Sequence, residues 1–138
     1  MTLEEQRERI GTLAGRHGAP DEQLVAVLVA DPSPGERVFL CAFVDREGRR
    51  TWLVLDAQGR PVRDRNRVRE AVSIAALCEL AEESSGIGGP SRVASPEYLD
   101  ELGSASAEIA AAVQQGFGAV QELSREVEAR YKVPLDGS

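Results

Sequence analysis

Two glutamates stand where a carboxylate could do acid–base work. Val68, Val72 and Ala75 follow one another at the four- and three-residue spacing of a helix face, and Glu79 and Glu82 continue the series. If Glu79 shares the burial expected of that stripe, desolvation raises its pKa, and an arginine such as Arg125 or Arg130 must stand beside it. The competing reading is that the stripe meets solvent at its C-terminal end, which is the usual fate of a glutamate. An enzyme using a buried Glu79 is therefore one reading to carry, behind two that need no catalysis.

The remaining reactive side chains are few. His17 is the only histidine, no acidic pair or cysteine lies near it at ligand spacing, and its place after the first helix suits capping of the last carbonyls. Cys41 and Cys78 are far apart and flanked by apolar residues, so they read as small buried hydrophobes in a reducing compartment. No metal site and no cofactor is expected. The chain has no GKS or GKT, HExxH, CxxC or GxSxG, which removes the common nucleotide, metalloprotease, redox and hydrolase signatures. Gly86-Ile87-Gly88-Gly89 follows the negative end of a helix and two glutamates, the wrong polarity for a phosphate cradle.

Arginines at positions 60, 63, 65, 67 and 69 suggest a nucleic-acid patch, yet residues two apart on a helix point about 200° apart, so the run divides between opposite sides. A solvated helix entrance is the simpler reading. Lys132 is the only lysine, a bias read here as codon usage rather than chemistry. The net charge of −7 also argues against a nucleic-acid partner.

The elements that must position these residues are organised around Asn66 to Glu83. From Ala71 to Ala81 this stretch is apolar except at Ser73 and Glu79, and its two stripes demand cover on two sides. The Ile74/Leu77/Ala81 side is assigned to a sheet, and the Val68/Val72/Ala75 side to another helix. Before it come a helix capped by Thr2 and ending near Arg16 or His17, a strand at Gln23 to Ala30 with a short helix as the alternative, and strands at Arg37 to Asp45 and Thr51 to Asp56. Short connections make the three strands an antiparallel meander with the second in the middle. After the central helix come a loop over residues 86–95, a short helix opened by Ser95-Pro96 and reaching Leu102, and a long amphipathic helix carrying Ile109, Val113, Phe117, Val120, Leu123, Val127 and Tyr131.

The fold expected is thus α+β: N-terminal helix, three-stranded antiparallel β-meander, buried central helix, short helix and long amphipathic C-terminal helix. The 138 residues fit a single domain, with 135–138 disordered. No run is apolar enough for a signal peptide or a membrane span, so a cytoplasmic protein with no membrane partner is expected.

Function follows from surfaces rather than motifs. All three strands are apolar on both faces, and one chain offers little to cover them, which points to a homodimer. Gly116 and Gly118 cost the long helix about 2 kcal/mol relative to two alanines, so either a break at Gly116 or close helix packing should offset them. The interface expected comprises Val113, Gly116, Phe117 and Val120. The leading reading is a non-enzymatic protein-binding or regulatory module with a protein partner, acting through a sheet edge or the C-terminal helix. The alternative is a small-molecule-binding protein whose apolar pocket between sheet and central helix is lined by Phe43, Trp52 and Cys78.

Overall fold

The computed structural model describes residues 1–86 and 93–137; most of the glycine-rich loop of the sequence reading, including Ile87, Gly88 and Gly89, lies outside the described residues. Helix α1 (Leu3–Gly15) starts at Thr2, whose hydroxyl accepts from the Glu5 N–H at 3.2 Å. Strands β1 (Gln23–Ala30), β2 (Val38–Val44) and β3 (Arg50–Asp56) form an antiparallel sheet in the order β1-β2-β3. The two turns that flank β3 use the same chemistry. In Asp45-Arg46-Glu47-Gly48-Arg49 and in Asp56-Ala57-Gln58-Gly59-Arg60 the Asp side chain accepts two backbone N–H groups at 2.9–3.0 Å. The glycine takes φ near +81° in both, a conformation that a Cβ disfavours.

Alternation along the strands sends side chains to two separate cores. Phe39, Cys41, Phe43, Leu53 and Leu55 pack with Ile10 and Ala14 of α1. Val38, Leu40, Trp52 and Val54 pack with Val68, Val72, Ala75 and Cys78 of α2 (Arg65–Ser85). Both sheet faces are therefore buried within one chain, and the count of uncovered surface no longer calls for a second subunit. A bulge between Leu24 and Ala26 turns Leu24 to the α1 side and leaves Val25 53% exposed.

The central helix is as buried as its composition requires, with Val72, Ala75, Leu77 and Cys78 all buried. Its two stripes are not divided as expected. Ile74 sits in the cluster with the sheet residues as expected, but Val68, Val72 and Ala75 sit there too, while Ala81 packs with Leu102 and Ile109 from the helices that follow. The physical reason is length: 21 residues make a helix of about 31 Å, longer than a seven-residue strand of about 23 Å, so α2 changes partners along its axis.

The short helix, α3 (Pro96–Ala105), runs one turn past its expected end, and Ser95 caps it through the Tyr98 N–H at 3.0 Å. The long C-terminal helix divides into α4 (Ala107–Gln115) and α5 (Phe117–Ala129) at Gly116. Break and close packing coincide there, because a Cβ on Gly116 would fall 2.2 Å from Leu80 Cδ1 of α2.

Residues 130–137 form a strap. Trp52 donates to Arg130 O at 3.2 Å and accepts from the Lys132 N–H at 2.9 Å, and Tyr131 Oη accepts from the Val54 N–H at 2.9 Å and donates to Val62 O at 2.6 Å. The tail expected to be disordered from residue 135 is held against the start of α2: Asp136 N–H bonds Arg63 O at 2.6 Å, and Arg65 bonds Asp136 O and Gly137 O at 3.0 and 3.2 Å. Ser138 lies outside the described residues.

Candidate functional site

Glu79 is exposed, and among the described residues it has no ion-pair partner. The carboxylate lies at the surface and not in the core, so the buried-carboxylate reading is corrected. Its stripe reaches solvent because α2 outruns the sheet. The carboxylate that α2 arginines do grip is Glu128, bonded by Arg69 and 3.7 Å from Arg65. Part of the arginine run thus anchors α5 and the strap.

Phe43, Trp52 and Cys78 do not converge on one pocket. Trp52 and Cys78 belong to the α2-side core, whereas Phe43 points through the other face of the sheet toward α1. The odd and even positions of adjacent strands make this separation unavoidable. The two cysteines are divided in the same way. Burial pushes the Cys41 thiol up to about 12 and the Cys78 thiol up to about 11, so neither is a thiolate nucleophile near neutral pH. Among the described residues no three His, Cys, Asp or Glu side chains gather as metal ligands would.

The four expected interface residues also part company. Gly116 packs on Leu80 and Val120 is buried against its own chain, Val113 is half-buried, and Phe117 alone is 49% exposed. Beside them lies a groove of about 230 Å³ between α2 and α5, with Ala76, Leu80, Ala119, Val120 and Leu123 as its apolar lining and Glu79 and Glu83 among its walls. Glu126 stands seven residues after Ala119, on nearly the same helix face, and is exposed. Phe117 is three residues before Val120, about 60° around α5, and so stands beside the groove without lining it.

The sheet edges offer less than the sequence reading allowed. On β3 the outward groups of Trp52 and Val54 are bonded by the strap and by Val62 N–H at 2.8 Å. On β1, Ala94 bonds Val29 O and Asp31 N–H, Arg7 bonds Val27 O at 2.9 Å, and the bulge bends the remainder. A bulge and a charged side chain are the usual protections of an edge against another strand.

One part-buried polar cluster escaped sequence reasoning. Glu22 accepts from Lys132 Nζ, from Ala19 N–H at 2.8 Å and from Thr51 Oγ1 at 2.8 Å, and Lys132 Nζ lies 4.5 Å from the centre of the Phe43 ring. Their side chains are 7% and 12% exposed. Burial alone would raise the Glu22 pKa, but the bonds from Lys132, Ala19 and Thr51 outweigh it and hold the carboxyl below its usual range. With every oxygen engaged, the pair is a fastening between the chain before β1 and the strap.

Fold and surface together define a single α+β unit whose sheet lies between α1 and α2, with an acidic apolar groove on its helical side. Comparison with family models, with curated proteins and with solved structures finds no match. Among the described residues no helix is long and apolar enough to cross a membrane.

Proposed function

We propose that the chain is a non-enzymatic, cytoplasmic protein-binding module whose recognition surface is the groove between α2 and α5. The observation that carries this reading is the pairing of an apolar floor with carboxylates that have no ion partner among the described residues. A cavity of about 230 Å³ accommodates one or two large aliphatic side chains, the size of an anchor rather than of a cofactor. Glu79, Glu83 and Glu126 favour lysine or arginine around that anchor, so the fitting partner is an amphipathic helix with a basic rim. The protected sheet edges leave the helical side as the open surface.

A helical peptide of leucine and lysine, titrated into ¹⁵N-labelled protein, should shift the amides of Ala76, Leu80, Ala119 and Leu123 saturably. The double charge reversal Glu79→Lys/Glu83→Lys should weaken binding by about tenfold or more, as should added salt. Shifts scattered over the surface, or an affinity indifferent to the reversal, would sink the groove as the recognition site.

A homodimer is the second reading, favoured by the half-exposed Phe117 of α5. Sedimentation equilibrium at micromolar concentration should then return about twice the 14.9 kDa chain mass, and Phe117→Glu should restore the monomer. A monomeric wild type ends this reading without touching the groove.

A further inference from the structure

Gly116 is a glycine that the backbone does not require. Its φ of −83° and ψ of −7° are a right-handed conformation open to other residues, and alanine is the better helix former. What the position lacks is room. A Cβ on Gly116 would lie 2.2 Å from Leu80 Cδ1, whereas Leu80 Cγ and Ala112 O, both at 3.4 Å, would be in ordinary contact. The notch left by the missing side chain thus receives the tip of Leu80, and Leu80 is part of the lining of the α2–α5 groove. A Cβ on Gly118, two residues further on, would meet nothing within 4 Å.

The end of a leucine moves by rotation about its side-chain bonds, so a methyl group at position 116 would turn Leu80 rather than break the helix. The turned tip needs empty space. Behind α2 the neighbours Leu77, Cys78 and Ala81 are buried in a close-packed interior, while the groove of about 230 Å³ lies open beside Leu80. We infer that Gly116 sets the depth of the groove, and with it the size of the anchor side chain that a partner can insert. The anchor rests on the groove being the recognition site; the depth does not. With Leu80 lying in the notch the groove takes a leucine, and with Leu80 turned outward it takes only a smaller side chain.

Gly116→Ala is best compared with Gly118→Ala, the same chemical change in open space. In protein labelled at its methyl groups, nuclear Overhauser contacts of the Leu80 methyls with Gly116 should give way in Gly116→Ala to contacts with Ala119 and Leu123, and should persist in Gly118→Ala. The wild type should bind a leucine–lysine helical peptide about tenfold more tightly than the same peptide with its central leucine replaced by alanine. Gly116→Ala should weaken the leucine peptide about tenfold and leave the alanine peptide within about twofold. The double variant Gly116→Ala/Leu80→Ala, which removes the obstructing tip, should restore most of the preference for leucine. A general loss of stability would lower both affinities and leave that preference intact. Unchanged Leu80 contacts in Gly116→Ala, equal weakening of the two peptides, or the same effects in Gly118→Ala would each overturn the inference. A wild type that binds neither peptide, with Leu80 still turning in Gly116→Ala, would overturn the groove as recognition site and the anchor with it, and would uphold Gly116 as the residue that sets the depth.

Discussion

Replacing Lys132 by methionine should destabilise the protein by about 1–3 kcal/mol in urea unfolding at pH 7, although the methionine keeps most of the apolar stem. The Glu22–Lys132 pair is shielded from water, and removing one member leaves the other charge buried against fewer partners. The pair is part-buried, so the loss falls between that of an exposed pair and that of a fully buried one. The double variant Glu22→Gln/Lys132→Met should recover part of the loss, because no unpaired charge remains. The pH dependence has a definite sign. Glu22 is held below its ordinary value of 4.5, so its contribution is complete above that pH and disappears as pH falls through the lower folded-state pKa. The gap between wild type and Glu22→Gln should therefore close in acid. A gap below about 1 kcal/mol at pH 7 would show the pair to be ornamental.

Leu53→Ala and Leu40→Ala should each cost about 2–5 kcal/mol, although the two side chains point to opposite faces of the sheet. A three-stranded sheet with one wet face would tolerate one of them. Here Leu53 lies under α1 and Leu40 under α2, so each truncation opens a cavity in a closed layer. If Leu53→Ala unfolded at nearly the wild-type urea concentration while Leu40→Ala did not, α1 would not be packed as described.

Much of this architecture was legible because it is local. Asp-x-x-Gly-Arg turns, the Ser95-Pro96 start and the Thr2 cap are written within five residues, and the strands between such signals could be placed to within a residue or two. What failed needed knowledge of length or of distance. The stripes of α2 were assigned around its circumference, whereas the helix divides its partners along its axis. Lys132 was set aside as a compositional accident because its partner stands 110 residues away, and no spacing rule reaches that far. Gly116 signalled close approach of another helix, and of the two neighbours expected, the central helix or a second subunit, it is the central helix of the same chain. Glu79 drew attention as a buried base and instead lines an open groove, so the position was legible and its environment was not.

The strap has a consequence for the chain during synthesis. Tyr131 reaches Val54 across 77 residues, so the part of the outer β3 edge that Val62 does not cover stays open until that much more polypeptide has been made. At ordinary translation speeds the interval is about 4–15 s. Throughout it the Trp52 N–H and C=O and the Val54 N–H are unpaired beside an apolar face, a template for pairing with a neighbouring nascent chain. Polysomes, where identical chains emerge side by side, are where this protein is most exposed to misassembly, and the residues that end the hazard are translated long after the edge they cover.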